Sequence, residues 1–262
     1  GLDLHEFYSL KNRTWTALKR EAGLLPRTSE ENKEKVIGRS ISRFLHVDDI
    51  ERFETFNRIL SLQSLEEVAS FQTREDRQIQ GLLLGVLPAQ GKYGRLYPDI
   101  QSALKELLGF TDLRKEFIEV LEILQENHIH SLGKPLTKNS EIPLKLHSRY
   151  SRDEILAAYG ESTINVRHNL VAGVLFNKEY ETDLFFITLK KEDKDFLPTH
   201  KYVDYPINEH QFHWESQATT TRSSSTGQRY INHQTKGSKI ALFIREAKKD
   251  SLGNTMPYFA AG

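Results

Sequence analysis

The sequence predicts an α+β chain. A helical bundle is expected over residues 1–149, followed by a small, strongly curved, antiparallel β-barrel-like domain over residues 150–262. Three observations carry this. In the first part apolar residues recur at helical spacing and β-branched alternation is nearly absent. After Gly160 the pattern changes to short runs rich in Val, Ile, Phe and Thr, which read as strands. Between the two lies a stretch containing Gly133, Pro135 and Pro143, residues that interrupt regular structure.

Taken in order, residues 34–45 form the first predicted helix. Asp48-Asp49 precede an apolar stripe of Ile50, Phe53, Phe56, Ile59 and Leu60, a second helix. Residues 75–86 suit a third. Pro98-Asp99 open a shorter one through Leu104, Leu107 and Leu108, stopped by Gly109. Thr111-Asp112 open a long helix with Leu113, Phe117, Val120, Leu121 and Leu124 on one face. These stripes are expected to share one core. Residues 131–148 read as an interdomain linker. Ser151-Arg152-Asp153-Glu154 is a capping box, with Ser at the N-cap and Glu at N3, and starts a short helix ending at Tyr159-Gly160. Strands are predicted over 171–176, 183–189, 200–207, 211–217, 228–231 and 239–245. Their close spacing suggests antiparallel pairing, hence a barrel or curved sheet.

The chain has 262 residues, enough for two domains, and its 38 % hydrophobic and 27 % charged content is that of a soluble globular protein. The longest apolar stretch, 82–87, is far too short to span a membrane. The absence of cysteine excludes disulfides, zinc–thiolate sites and cysteine nucleophiles, and a cytoplasmic location is the default expectation. No secretory signal is visible, and a start at Gly1 without methionine points to a piece of a longer protein.

Reaction motifs are missing. A phosphate-binding loop needs Gly, four residues, then Gly-Lys-Ser/Thr; here five residues separate Gly85 from Gly91-Lys92, and Tyr93 follows. On a strand, His210 and His213 point to opposite faces. There is no His-Glu-x-x-His or Gly-x-Ser-x-Gly, and no clear His-x-Lys-x4-Asp nuclease motif. No catalytic residue, metal site or cofactor is therefore expected.

Charge is balanced overall, with 36 basic and 36 acidic residues, but not locally. Residues 219–249 carry Arg222, Arg229, Lys236, Lys239, Arg245, Lys248 and Lys249 against Glu246 alone, whereas residues 150–218 carry seven basic and twelve acidic side chains. A local basic stripe suits a phosphate-contacting face, although strands also display Lys for solubility. Within this stripe a hydroxyl-rich segment, 218–227, surrounds Arg222 and sits between two strand-like runs. Such a loop suits phosphates and base edges.

Five segments in order, Ser148-Arg149-Tyr150-Ser151-Arg152-Asp153-Glu154-Ile155-Leu156, Tyr202-Val203-Asp204-Tyr205, Phe212-His213-Trp214-Glu215-Ser216-Gln217, Thr226-Gly227-Gln228-Arg229-Tyr230-Ile231 and Leu242-Phe243-Ile244-Arg245-Glu246, carry a resemblance. They resemble the C-terminal domain of bacterial helicase–nuclease fusions, as in SauUSI-type modification-dependent (type IV) restriction enzymes. The resemblance implies an SRA-like (PUA-like) reader of 5-methylcytosine in double-stranded DNA. It implies helicase and nuclease domains of a parent chain as partners, with residues 1–149 as the connector. The end of the chain, Tyr258-Phe259-Ala260-Ala261-Gly262, is less apolar than the resemblance implies.

A flipped methylcytosine needs an aromatic face, an acceptor for its amino group and an apolar contact for the methyl. Tyr202 and Asp204 would share a face of a strand, with Tyr205 beside them; the same residues also suit barrel core and a turn cap before Pro206. Trp214, with Ser216 and Gln217 at the strand end, is a second wall, and equally a core residue. Thr219, Thr220, Thr221, Arg222, Ser223, Ser225 and Thr226 are the expected DNA-contacting loop, with Arg222 as an inserted finger. Arg229, Lys236 and Lys239 are expected to bind phosphate. The alternatives are a coupling module that binds other domains of its own chain and reads no base, and, less well supported, a nuclease or base-modifying enzyme.

Overall fold

Side-chain caps start several helices at the positions the sequence marks. In the structure, a computed structural model, Asp49 accepts from the Arg52 N–H at 3.0 Å and Asp99 from the Ser102 N–H at 2.7 Å. Ser151 and Glu154 form the complete capping box. The structure describes residues 3–10, 13–64, 72–88, 97–128, 133–169, 173–190, 204–208, 210–216 and 220–262. They divide into two compact units, residues 1–169 and 170–262.

The first unit contains α1 (Leu4–Leu10), α2 (Trp15–Glu21), α3 (Glu31–Gly38), a short 3-10 helix (Arg39–Arg43), α4 (Ile50–Leu60), α5 (Thr73–Val86), α6 (Ile100–Gly109), α7 (Thr111–His128), β1 (Arg149–Tyr150) and α8 (Arg152–Ala158). The predicted stripes do share one core: Phe53, Phe56, Ile59 and Leu60 of α4 are buried with Leu104, Leu107, Leu113, Phe117 and Val120. The helix expected over 34–45 breaks at Gly38 into α3 and the 3-10 helix. Helices α1 and α2 have seven residues each, too few to show a period. Their anchor comes from far along the chain. Buried Glu116 accepts from the Tyr8 hydroxyl (2.7 Å) and from the Trp15 and Thr16 N–H groups (2.6 and 2.7 Å), which satisfies the start of α2.

Residues 133–148 are not an open linker. Ile142 and Leu144 are buried, Pro135 bridges Lys145, and Arg74 donates to the Ser140 and Ile142 carbonyls at 2.8 and 2.7 Å. Gly and Pro punctuate this arm without freeing it, because Arg74 and the core claim its carbonyls and side chains. The division between units lies after residue 169, where the sequence placed it after 149.

A buried ionic cluster holds α8. The Arg52 side chain is 2 % exposed and pairs with Asp49, with Glu154 (2.8 Å) and with Asp48 (2.9 Å). Its guanidinium lies 4.0 Å from the Tyr150 ring centroid, and His46 Nε2 meets Glu154 at 2.7 Å. Burial works against ionised Glu154, but His46, Arg52 and the Ser151 N–H outweigh it and hold the carboxyl well below the usual glutamate range.

The second unit contains β2 (Val174–Asn177), β3 (Thr182–Thr188), β4 (Tyr205–Asn208), β5 (Gln211–His213), α9 (Ser225–Ile231), α10 (His233–Lys236), β6 (Lys239–Arg245) and β7 (Tyr258–Ala260). Its mixed sheet runs β7-β6-β3-β2, while β4 and β5 pair separately as a hairpin. β3 pairs antiparallel with β2 (Val174 opposite Phe185) and parallel with β6 (Asp183 opposite Ile240, Phe186 opposite Phe243).

This corrects the barrel expectation: among the described residues no barrel closes. Antiparallel pairing assumed a strand at 228–231, but those residues belong to α9. β3 and β6 instead run parallel, which requires a crossover, and the crossover carries β4, β5, α9 and α10. The C-terminal segment is a built element. Tyr258 and Ala260 are buried, and the Leu242 N–H donates to the Gly262 carbonyl at 2.7 Å.

Candidate nucleic-acid interface

A buried polar constellation of the second unit centres on a residue that sequence reasoning passed over. Asp183 lies in β3 and is fully buried. Arg229, on α9, donates to both its carboxylate oxygens, Nε to Oδ2 and Nη2 to Oδ1, each at 2.7 Å. This is the fork geometry that fixes a guanidinium in one orientation. The Arg229 guanidinium also lies 4.0 Å from the Phe176 ring centroid. Tyr230 stands edge-on to Phe185 (5.1 Å) and to Trp214 (5.5 Å), and Trp214 packs on Phe185 at 4.2 Å. Burial and the Asp183 charge push the Tyr230 hydroxyl up to about 12, against the opposing Arg229. The signal in the sequence is a carboxylate inside an apolar strand, Thr182-Asp183-Leu184-Phe185-Phe186. A buried charge needs a partner.

The hydroxyl-rich loop rests on α9. Ser224 is the N-cap, accepting from the Gly227 N–H at 3.1 Å and donating to the Thr221 carbonyl at 2.7 Å. Gln228 Nε2 donates to the Arg222 carbonyl at 2.7 Å. A Cβ on Gly227 would stand 2.0 Å from the Thr221 carbonyl oxygen, so glycine is required for the loop to lie this close. All seven residues of α9, Ser225–Ile231, are helical where the sequence predicts loop or strand. Ser224, between the expected DNA contacts Ser223 and Ser225, does the work of a helix cap.

The other expected site residues divide. Tyr202, Gln217 and Thr219 lie outside the described residues. Asp204 Oδ1 accepts the Glu215 N–H at 3.0 Å, which ties the start of β4 to the segment holding Trp214 and Ser216. Tyr205 is exposed and stacks on His213 at 4.8 Å. Trp214 is half-buried in the ring cluster. Ser216 donates to the Thr220 carbonyl at 3.2 Å, joining that segment to the loop. Thr221 and Ser223 hydroxyls lie 3.3 Å apart. Arg222 is exposed at the loop surface.

The basic stripe also splits. Arg229 is taken up by Asp183, and Arg245 donates to Thr188 at 3.0 Å and covers the Tyr258 ring. The expectation of a phosphate role for Arg229 is corrected to this extent: two of its nitrogens are already used, because the Asp183 carboxylate is sealed beneath it. Lys239 is exposed and reaches the Tyr180 carbonyl at 3.4 Å. Arg222, Lys236 and Lys249 are exposed and form no ion pair among the described residues.

Residues 144–259 match a family model described as a domain of unknown function, DUF3427. No curated protein and no solved structure matches the chain. The matched segment takes in all of the basic stripe's exposed cations named above and begins within the packed arm of the first unit. Among the described residues, no group of three or more His, Asp or Glu side chains is placed to hold a metal ion, and no helix is long and apolar enough to cross a membrane.

Proposed function

We propose that the second unit is a DNA-binding module that recognises 5-methylcytosine in double-stranded DNA, by flipping the base, and licenses an attached ATP-driven motor and nuclease. In that role it acts on DNA in the cytoplasm. The observation that carries the DNA part is the loop 220–224, pinned by Ser224 and Gln228 and presenting exposed Arg222, in a stretch of sequence whose Lys236, Lys239 and Lys249 are exposed too. The resemblance of the five segments to the closing domain of modification-dependent restriction enzymes supports the modified-base part. Asp204 is the candidate acceptor for the cytosine amino group. Its bond to the Glu215 N–H ties it to the chain segment of Trp214 and Ser216, which supplies an aromatic face and a hydroxyl.

The coupling alternative has one observation in its favour. Tyr205 and Ile207 on β4 are 46 % and 56 % exposed, apolar surface suited to another protein domain.

A binding assay on the chain with methylated and unmethylated duplexes separates the readings. The proposal expects methylated duplex to bind more tightly. It expects Asp204→Asn to weaken that preference by about 1–3 kcal/mol while the fold is kept. Equal binding of both duplexes would remove the modified-base part, and no binding to either would leave the coupling reading.

A further inference from the structure

We infer that Asp183 is a positioning residue for the DNA-contacting loop, acting through Arg229 on α9 and through α9 on Arg222. The inference rests on the DNA-binding reading above.

The path is continuous. Asp183 belongs to a central strand, bonded on both sides by β2 and β6, so its carboxylate is a fixed point. Both of its oxygens hold Arg229, and the Phe176 ring closes the face of the guanidinium. The next residue, Tyr230, is wedged against Phe185 and Trp214. Two adjacent residues of a seven-residue helix are therefore anchored to β2, β3 and the segment after β5. The same helix holds the loop backbone at two carbonyls, Thr221 through Ser224 and Arg222 through Gln228, with Gly227 leaving no slack. A shift of α9 must move the backbone of Arg222.

Stability alone does not call for an ion pair at this place. Apolar residues of like volume are often as stabilising as a buried pair, whereas a bidentate carboxylate–guanidinium pair also sets direction. The pair lies under a segment that combines an exposed guanidinium with a backbone locked to a helix.

The test is a double-mutant cycle on the whole chain, reading affinity for methylated duplex by fluorescence anisotropy, corrected for folded fraction. Arg222→Ala and Asp183→Asn are each expected to weaken binding on the order of tenfold, and the double variant no more than either alone. A purely structural Asp183 gives multiplied losses, and that result overturns the inference, as does an Asp183→Asn protein that binds like the parent. If Asp183→Asn does not fold, Arg229→Lys replaces it in the cycle, keeping the charge and losing the fork, with the same non-additive result expected. Amide exchange is the second readout. Asp183→Asn should speed exchange over 221–228 and leave the central β6 amides protected; unchanged exchange there also overturns it. If the parent binds neither duplex, the DNA reading fails, and the exchange result still decides whether Asp183 orders the loop.

Discussion

Arg52 and Arg229 each place a guanidinium 4.0 Å from an aromatic centroid, yet they serve their units differently. Arg52 is sealed, its side chain 2 % exposed, and three carboxylates take its nitrogens. Arg229 keeps 24 % of its side-chain surface and has one carboxylate partner, which is itself fully buried. The first arrangement is saturated and belongs to the interior that fixes α8. The second sits at a margin, with a buried anchor on one side and a solvent-facing loop on the other. The contrast teaches that a buried charge marks function only where the elements it joins reach the surface.

The comparison breaks most readily at Arg52. Arg52→Ala takes the guanidinium from Asp49 and leaves Glu154 with His46 but without its arginine, and the first unit should lose about 3–5 kcal/mol in denaturant unfolding. A loss under about 1 kcal/mol would mean that the cluster is not the sealed network described. At the margin the expected effect is smaller. Asp183→Asn should cost the second unit about 1–3 kcal/mol, because Arg229 can turn to water. Trp214 emission is the natural probe, and a loss as large as that of Arg52→Ala would erase the distinction.

Titration sharpens the contrast on the acid side. Glu154 is depressed in the folded first unit, and Glu51, raised by burial but lowered more by Arg74 and Lys145, is depressed too. Their contribution is complete above the ordinary glutamate range and is lost as pH falls toward the depressed values. Asp48, held up chiefly by burial, works in the opposite sense and softens the loss. Tyr230 of the second unit is raised to about 12. Its contribution is complete below the ordinary tyrosine value and is lost as pH climbs through about 12. Acid should therefore weaken the first unit more than the second, monitored as separate unfolding transitions, whereas alkali should weaken both, because burial also raises the Tyr8, Tyr150 and Tyr159 hydroxyls of the first unit. The same order of loss in both units on acidification would contradict this.

The smallest effects on stability belong to the exposed cations. Arg222→Ala and Lys236→Ala should change unfolding by less than about 0.5 kcal/mol. Lys236→Ala should lower the slope of log affinity against log salt by about one if it meets a phosphate. An unchanged slope would put the DNA on another face.

Much of the first unit is legible locally. Asp49, Asp99 and Ser151 cap because a side-chain oxygen at the right offset meets the next turn's N–H, and the stripes of α4, α6 and α7 are read from their period alone. The same local logic misreads 133–148, where breakers mark a packed arm. It also misses α2, whose first N–H groups are satisfied by Glu116 from α7. In the second unit the strand runs at 183–189 and 239–245 were visible as apolar patterns, but their parallel pairing was not, since strand direction depends on the crossover between them. Ser224 and Gly227 look like loop chemistry until the helix they start is present. Asp183 and Arg229 stand far apart in sequence, and although Asp183 is marked as a carboxylate in an apolar run, nothing local marks Arg229 as its partner. Only the tertiary fold brings them together, because a buried carboxylate selects its partner by where the surrounding elements leave a cation, and no local period encodes that choice.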